Sequence, residues 1–381
     1  MSAEYEIIKY QAEHKPLVAD LQRELWSTDV NLNTRYFEWK YEQNPYLGEP
    51  LVYLAIHQGK LVGMRGFHEA RLEAGTPTHI FPVLIAGDAF VAPAHRDRSL
   101  VTRIMKMADA DLVDRDYSYV LSIGGASPIN ALGLVSLGWK SAGMLQPLGR
   151  ATRIATLIQE ARNAMGRLPL IWRFSDAHFM STPSQRNPFR HLDKRLNGGG
   201  ARAGPPIAVE REPRVQSMAA LVQRLGHDGR IRYTRDHEYL AWRFANPLSD
   251  YRFLYWEERP QDGYLVLNRR VSDLEAWDRV YIADLEATDM RVRRELISAA
   301  IRWGRFPKLV TWAGSLGKDE IQLLTSQAFI PVDRQRTVRG CPCILVHPLR
   351  KQLQASNWML GGRRILGLEN WDFRVLYSMR G

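Results

Sequence analysis

The residues best suited to chemistry lie in residues 84–101, where an apolar run leads through a basic turn into an amphipathic stretch. Arg96 and Arg98 stand in that turn. Phosphate binds readily at a helix start, because free N–H groups and a partial positive charge meet there, and guanidinium groups fit phosphate oxygens. The segment therefore predicts a cradle for a pyrophosphate-bearing ligand. An ordinary strand–loop–helix connection with solvated charges is the alternative.

Regular elements surround this turn and would position it. Apolar residues recur at helical spacing over residues 99–115, and a stretch rich in β-formers follows at 117–123. A second, apolar helix is predicted over 129–137, with Gly138 as its stop. The order predicts a sheet covered by helices, with the basic loop at the end of one strand.

These elements and residues resemble the GNAT superfamily of acyl-CoA-dependent N-acyltransferases. The family's central loop begins with Arg or Gln and carries two glycines; Arg96 matches the first position, and Ser99 and Val101 stand where the glycines would be. A side chain at either place narrows the approach of the backbone to phosphate. The resemblance implies acyl-CoA, with acetyl-CoA the first expectation, bound by a set of residues along the strand end, loop and helices: Phe90, Val91, Arg96, Asp97, Arg98, Ser99, Leu100, Val101 and Asn130.

A second block, residues 127–139, is similar to the family's Asn-containing helix that ends in Gly and an aromatic residue. The resemblance implies that this helix and the splayed strand hold the pantetheine arm. The family often has a Tyr four residues before the Gly, which protonates the leaving thiolate. Leu134 occupies that position here and cannot donate a proton. The resemblance therefore supports binding of the acyl donor more than a particular proton donor.

Three side chains are candidates for the base that acyl transfer to an amine requires. Asp88 lies on the strand that leads into the basic loop, and His68 and Glu69 follow the preceding strand. A hydrogen-bonded structural carboxylate is the alternative role of Asp88, and a lone His at a strand end is more often structural. The resemblance also implies a backbone N–H near Phe90 or Val91 as donor to the thioester oxygen.

An internal repeat divides the chain. Residues 36–41 and 239–244 share the order aromatic, Trp, cation, aromatic, and each copy is followed by Asn-Pro. Similar strands and helices then follow in the same order, which predicts duplicated domains. Tyr36 and Trp39 are candidate ligands of the acceptor, because aromatic faces suit sugar rings and amines. Their recurrence favours a role in maintaining the fold.

The two copies differ at the central loop. The second copy has Glu286 and Asp289 where the first has its basic residues. Negative charge would repel a pyrophosphate. We therefore expect the N-terminal copy to bind the acyl donor and the C-terminal copy to be structural or to shape the acceptor site.

Length and composition agree with two domains. The chain has 381 residues, which is longer than a chain that folds around one core usually is, and 45% of the residues are hydrophobic. We expect an α/β fold of two tandem GNAT-like domains, each with a mixed, mostly antiparallel central sheet flanked by helices. The predicted boundaries are an N-terminal acyl-CoA-binding domain at 1–178, a linker at 179–210, a degenerate domain at 211–350 and an extension at 351–381. Aromatic residues at 370–374 indicate that the extension folds back on a domain.

The charge balance, 52 basic against 41 acidic residues, gives a net charge of +11. Such a field attracts CoA phosphates, anionic glycans, nucleic acid or an anionic membrane. Nucleic acid is disfavoured because basic blocks interleaved with aromatic residues are missing. A predicted amphipathic helix at 150–167 is interpreted as packing on the sheet, with peripheral membrane association as the alternative.

Hydropathy and cysteine usage favour a cytoplasmic protein. No run of 18 or more apolar residues is present, and the N-terminus lacks the apolar region of a signal peptide. Cys341 and Cys343 are too few for a disulfide framework, and without a second pair they predict buried strand thiols and no metal site.

Together the patterns predict an acyl-CoA-dependent N-acyltransferase that moves an acyl group, acetyl first, to the primary amine of a small molecule or amino sugar by direct attack. Two alternatives stand beside it. One is an inactive binding or scaffold protein with the GNAT fold. The other is a transferase or adaptor that holds aminoacyl-tRNA or an anionic polymer. The oligomeric state is not indicated by the sequence.

Overall fold

Two large mixed β-sheets with flanking helices, together with one two-stranded sheet, form the described part of the protein. The computed structural model describes residues 5–96, 99–124, 128–151, 187–196, 206–257, 262–271, 279–332, 343–349 and 358–378. Both sheets are mostly antiparallel, and each contains one parallel pair of strands. The predicted α/β class with two mixed central sheets is therefore confirmed.

The first half of the chain has the elements in the predicted order. Its strands are β1 (Glu6–Lys9), β2 (Leu51–His57), β3 (Lys60–Ala74), β4 (His79–Val91), β5 (Tyr119–Ile123), β6 (Lys140–Met144) and β7 (Pro147–Ala151). Its α-helices are α1 (Lys15–Leu21), α2 (Val30–Phe37), α3 (Leu100–Leu112) and α4 (Pro128–Ser136), and α2 continues into a π-helical turn (Glu38–Glu42).

The second half repeats this order. Its strands are β8 (Ile207–Glu210), β9 (Arg232–Tyr233), β10 (Ser249–Trp256), β11 (Gly263–Arg270), β12 (Arg279–Ala287), β13 (Lys308–Trp312), β14 (Ile330–Pro331), β15 (Cys343–Pro348), β16 (Met359–Leu360) and β17 (Arg363–Arg364). Its α-helices are α5 (Arg190–Leu196), α6 (Val215–Leu225), α7 (His237–Phe244), α8 (Met290–Gly304) and α9 (Lys318–Ser326).

Helix α3 shows how the pattern fixes the packing. Leu100, Ile104, Ala108 and Leu112 recur at helical spacing and are buried. They join a core cluster on one face of the first sheet, whereas α1 and α2 contribute to clusters that include Met64 of the sheet's other side. The first sheet is therefore covered on both faces.

Each sheet contains strands from the other half of the chain, and the first sheet also includes the short β9, which pairs with β3. The first sheet has the order β1-β2-β3-β4-β5-β15-β6, and the second has β14-β7-β13-β12-β11-β10-β8. Strand β7 thus lies in the sheet of the second half, and β15 lies in the sheet of the first. Arg150 pairs with Leu309 in this arrangement, so residues 150–151 end a strand instead of beginning the predicted helix. The rest of that helix, 152–167, lies outside the described residues.

The repeated aromatic motif joins the two halves. The rings of Trp39 and Trp242 stack with centroids 4.7 Å apart. The indole N–H of Trp39 donates to the carbonyl of Trp242 at 2.6 Å, and that of Trp242 donates to the carbonyl of Trp39 at 2.8 Å. The contact is reciprocal, so equivalent residues of the two copies meet at the interface between them. Tyr36 is fully buried beside Trp39 in the same core.

The predicted linker and extension both contribute ordered elements. Within the described part of 179–210, α5 packs on α8, and β8 pairs with β10. In the extension, Trp371, Phe373 and Tyr377 are buried in the core, so the prediction that it folds back is confirmed. The predicted domain boundaries stay predictions, and the strand exchange means that the two sheets do not separate at one point of the chain.

Two further features complete the fold. Cys343 is buried in β15, whereas Cys341 lies outside the described residues. Among the helices of the described ranges, none combines the length and the apolar character needed to cross a bilayer.

Candidate functional site

A gap opens in the first sheet where its two parallel strands separate. Strands β4 and β5 pair at Leu84 with Val120 and at Ile85 with Leu121. Beyond these pairs β4 continues to Val91 while β5 ends at Ile123, and the pairing is not resumed. We call this gap between β4 and β5 the first cleft. The basic loop and the start of α3 lie at its end.

The backbone of β4 presents a donor to the first cleft. The N–H of Ala92 donates to the carbonyl of Val62 at 2.8 Å, and the next pairs back along β4 are Gly63 with Val91 and Met64 with Phe90. Hydrogen-bonded and non-hydrogen-bonded pairs alternate in an antiparallel ladder, so Phe90 bonds to β3 and the N–H of Val91 faces the first cleft. The predicted oxyanion donor is thereby narrowed to Val91.

The start of α3 keeps a glycine-like backbone without glycine. Ser99 is the N-cap with φ +54°, in the left-handed region, and its side chain makes no capping hydrogen bond. Arg96 is exposed, and its Nε donates to the carbonyl of Val91 at 3.2 Å. Leu100 is buried in the core and Val101 is half exposed. The first-turn N–H groups of α3 thus lack a side-chain cap.

Three of the predicted binding residues are not covered. Asp97 and Arg98 lie outside the described residues. Asn130 is in α4, and its side chain is likewise outside the description. Their assignment to the acyl donor stays a prediction.

Asp88 is the centre of a buried polar cluster beside the first cleft. Its Oδ1 accepts from Lys40 Nζ at 2.8 Å, and its Oδ2 accepts from Tyr41 Oη at 2.8 Å and Gln22 Nε2 at 3.2 Å. The side chains of Lys40 and Asp88 are completely buried. This geometry favours the hydrogen-bonded structural role, and the assignment of Asp88 as a base stays a prediction.

The cluster fixes a bulge in β4. Asp88 has φ +48°, and the register between β3 and β4 shifts at this point. A Cβ on Gly87 would lie 2.6 Å from Lys40 Nζ, and one on Gly66 would collide with Tyr41. The two glycines therefore make room for the side chains that hold Asp88, and Asp88 holds the strand that carries Val91.

Burial dominates the electrostatics of this cluster. Burial lowers the pKa of Lys40, although Asp88 opposes the shift. Burial also raises the pKa of Tyr41 far above its usual value, and the Asp88 carboxylate adds to the effect. Tyr41 is therefore a neutral hydrogen-bond donor at ordinary pH.

His68 and Glu69 lie on opposite faces of β3 and are not brought together. His68 is buried with its ring 6.1 Å from Trp242, and burial, Lys40 and Arg243 hold its pKa well below its ordinary value. Glu69 accepts from the hydroxyl of Tyr117 at 2.7 Å, and burial raises its pKa. Their assignment as bases stays a prediction, as does that of Tyr36 and Trp39 as acceptor ligands.

The second sheet has an equivalent gap between β12 and β13, which pair in parallel at Val280 with Leu309 and at Tyr281 with Val310 and then separate. We call it the second cleft. Residues 371–378, which we call the C-terminal segment, lie against it. Arg374 donates from Nη1 to the carbonyl of Leu285 at 3.0 Å. A cavity of about 40 Å³, lined in part by Phe373 and Arg374, remains there.

A buried ionic network seals the second cleft. Arg235 lies 3.0 Å from Asp284 and 2.6 Å from Glu286, and Arg374 lies 2.9 Å from Asp372 and 3.0 Å from Glu286. Burial alone would raise the pKa of Glu286 and Asp372, but Arg374 and Arg235 outweigh it and hold both below their ordinary values. The carboxylates are thus charged and paired.

The start of α8 differs from that of α3. The carboxylate of Asp289 is the N-cap of α8 and accepts from the N–H of Val292 at 2.8 Å. An N-cap carboxylate satisfies the donors that would otherwise bind an external anion. The helix start of the second cleft is therefore already occupied by an anion of the chain itself.

Sequence reasoning did not identify two buried cations that bind the elements bordering the two clefts. Lys40 and Arg243 are equivalent positions of the repeat, and both are fully buried. Lys40 binds Asp88, whereas Arg243 binds the carbonyls of Leu376 and Ser378, each at 2.8 Å. Recurrence of a cation inside an aromatic motif was the available signal.

Across the described part of the chain, no three His, Cys, Asp or Glu side chains converge as metal ligands would.

Comparison with solved structures identifies the architecture. A conserved protein of unknown function from Enterococcus faecalis, titled a probable N-acyltransferase, aligns over 92% of this chain and 73% of its own, with 13% identity and a TM-score of 0.54. A tandem GNAT protein from the clavulanic acid biosynthesis pathway aligns over 91% of this chain and 99% of its own, with 10% identity and a TM-score of 0.51. A GCN5-related N-acetyltransferase from Anabaena variabilis aligns over 91% and 73%, with 9% identity and a TM-score of 0.53.

These similarities are structural. No protein-family model and no curated protein sequence matches the chain. At such low identity the alignments establish the fold, which is that of tandem GNAT proteins. The predicted resemblance is confirmed at this level.

Proposed function

We propose that the chain is an acyl-CoA-dependent N-acyltransferase whose first cleft binds the acyl donor, acetyl-CoA first. The observation that carries the proposal is the geometry of the first cleft within the described residues, where the N–H of Val91 and the start of α3, which Ser99 does not cap through its side chain, border the same gap. The second cleft is formed by equivalent strands, but its helix start is capped by Asp289. We therefore expect each chain to bind one molecule of the acyl donor.

Each part of the first cleft has a task in this proposal. The N–H groups at the start of α3 and the guanidinium of Arg96 bind the pyrophosphate. The N–H of Val91 donates to the thioester oxygen and stabilises the negative charge that develops on it. Three side chains have an indirect, positioning role. They hydrogen-bond to Asp88 and thereby stabilise the bulge in β4 that orients Val91: Lys40, Tyr41 and Gln22.

The reaction is direct transfer. The neutral amine of the acceptor attacks the thioester carbon, a C–N bond forms and the C–S bond breaks. The amine loses one proton to solvent, and the thiolate of CoA takes one up. The acceptor is proposed to be a small molecule or amino sugar with a primary amine, and the reaction is proposed to take place in the cytoplasm.

Leu134 favours a second candidate, an inactive scaffold. It stands where related enzymes often place a Tyr. It lies on α4, and its side chain is buried in the core. Catalysis would then lack a proton donor at this place. Because CoA thiolate is a good leaving group near neutral pH, we prefer the enzyme.

A thiol-release assay tests the proposal. Purified protein is incubated with acetyl-CoA and a panel of primary amines, including amino sugars, and free CoA thiol is measured. We expect amine-dependent release together with N-acetylated product by mass spectrometry. Binding of acetyl-CoA without release for any amine would support the scaffold, and neither binding nor release would reject both.

A further inference from the structure

Arg65 of β3 is a buried cation that β4 separates from the first cleft. The residue is 7% exposed. Its Nε and Nη2 are buried and have no hydrogen-bond partner among the described residues. A guanidinium in such a place is costly unless an anion or hydrogen-bond acceptor reaches it. We therefore expect an anion or a hydrogen-bond acceptor to bind the guanidinium of Arg65.

The register places Arg65 directly behind the bulge of β4. Met64 pairs with Phe90 and Gly66 pairs with Gly87, so Arg65 lies opposite the two bulged residues, Asp88 and Ala89. This is the stretch of β4 that borders the first cleft. The Arg side chain is long enough to cross one strand, because neighbouring strands are about 4.8 Å apart.

The side chain of Arg65 lies on the α3 face of the sheet. Side chains alternate along β3, and Gly66 faces Tyr41 on the opposite side. The guanidinium carbon of Arg65 is 5.6 Å from the ring of Phe67, which packs in the same cluster as Leu100. Ala89, which lies opposite Arg65 in the bulge, is exposed to solvent.

Asp88 does not serve as the missing partner. Its Oδ1 accepts from Lys40 and its Oδ2 from Tyr41 and Gln22. Burial lowers the pKa of Arg65 to about 10, and Tyr41 and Asp88 offset only part of this effect. Both oxygens of Asp88 are thus engaged by other donors, and the cost of burying the Arg65 charge is only partly offset.

We infer that Arg65 recognises a carboxylate on a substrate bound in the first cleft. This inference rests on the proposed function and names its substrate class. A guanidinium binds a carboxylate through parallel hydrogen bonds, and a buried one rejects analogues that lack the acceptor. The carboxylate has two sources, a dicarboxylic acyl group on CoA or an acceptor amine that carries an acid group.

A four-way assay distinguishes the two sources. Acetyl-CoA and succinyl-CoA are each paired with glucosamine and with lysine, and kcat/KM is measured for the four combinations. We expect a preference of about tenfold or more for the carboxylate on one side. Preference for succinyl-CoA assigns the acid to the acyl group, and preference for lysine assigns it to the acceptor.

Arg65→Gln should remove that preference, since kcat/KM for the carboxylate-bearing substrate falls about tenfold more than that for its neutral analogue. Arg65→Lys should restore part of it. Arg71→Gln on the same strand is the matched control and should keep the wild-type preference. Arg65→Gln should also melt no lower than the wild type, because it removes an unanswered buried charge.

A binding experiment keeps the inference testable without turnover. Succinate and lysine are titrated into the wild type and Arg65→Gln by thermal shift, and at least one should stabilise the wild type alone. If the wild type transfers acetyl groups but discriminates in neither experiment, the inference is wrong while the proposed function stands. If neither donor binds and no thiol is released, the proposed function fails, and the carboxylate titration still decides whether Arg65 binds an acid.

Discussion

The two clefts of this protein are formed by equivalent pairs of strands and differ in the groups that border them. In the first cleft, β4 and β5 separate and the backbone of Val91 faces the gap. In the second, β12 and β13 separate in the same way, but Arg374 of the C-terminal segment bonds to the carbonyl of Leu285. The same fold thus forms the proposed binding site in one copy and a packing site for the C-terminal segment in the other.

The equivalent cations Lys40 and Arg243 carry this difference. Lys40 binds the carboxylate of Asp88 and so shapes a strand, whereas Arg243 binds the C-terminal segment through two carbonyls. Duplication has therefore kept the cation and changed its partner. Both copies keep the separating parallel strands, and the side chains at the helix starts differ, with Asp289 capping α8 and no side-chain cap from Ser99 at α3.

Breaking the first of these contacts should have the largest effect. Lys40→Met leaves Asp88 buried without its counter-ion, so we expect a loss of about 3–5 kcal/mol in the free energy of unfolding. The double variant Lys40→Met/Asp88→Asn should recover much of that loss. Denaturant unfolding measures both. A single variant as stable as the wild type would show that the buried pair does not hold the bulge.

The backbone donor can be removed in each cleft separately. Val91→Pro deletes the N–H that faces the first cleft, at a position that is not hydrogen-bonded to β3. We expect kcat to fall about 10²- to 10³-fold. Ala287→Pro is the matched change, because the N–H of Thr288 bonds to Asp262 and that of Ala287 faces the second cleft. Its kcat should stay near that of the wild type, and equal losses in both variants would contradict the assignment of the first cleft.

The ionic network of the second cleft should respond to pH. Because Arg374 and Arg235 hold the pKa of Asp372 and Glu286 below their unfolded values, the network stabilises above about pH 4 and this contribution is lost as the pH falls further. Arg374→Gln should cost about 2 kcal/mol at pH 7 and flatten the acid limb.

Matched titrations show whether this effect belongs to the second cleft. Arg115→Gln, at a partly exposed ion pair with Glu49, should change stability by less than about 1 kcal/mol. Affinity for acetyl-CoA should be the same for Arg374→Gln and the wild type. A weaker affinity would mean that the second cleft takes part in binding the donor.

The smallest expected effect concerns the left-handed residue at the start of α3. Ser99→Gly should raise stability by about 1 kcal/mol, because glycine adopts positive φ without steric cost. Arg305→Gly, at the left-handed C-cap of α8, should stabilise similarly. Only Ser99→Gly should also increase the affinity for acetyl-CoA, since Ser99 borders the first cleft and Arg305 does not. Equal affinities of the two variants, measured by calorimetry, would remove Ser99 from the site.

Much of the fold could be predicted from the sequence. The repeat around Trp39 and Trp242 gave the duplication, and hydrophobic periodicity placed α3, β5, α4 and their counterparts in order. Periodicity shows that a strand exists but not which sheet it joins. Hydrophobic periodicity therefore could not predict that β7 joins the second sheet and β15 the first.

Only part of the candidate site could be predicted from the sequence. The basic loop and the strand before it were singled out because phosphate binding needs recognisable residue types, and their role stays a prediction. Lys40 and Arg65 were missed, because a cation in a sequence is usually solvated. Lys40 is buried against Gly87, and Arg65 lies opposite the bulge at Asp88, and both arrangements exist only in the folded sheet.

Calorimetric titration of acetyl-CoA into the wild type, Arg96→Ala and Arg291→Ala tests the central claim most directly. Arg96 lies at the first cleft, and Arg291 lies in the first turn of α8 at the second. We expect one site per chain, weakened about tenfold by Arg96→Ala and unaffected by Arg291→Ala. Two sites per chain, or one site that is sensitive only to Arg291→Ala, would contradict the account.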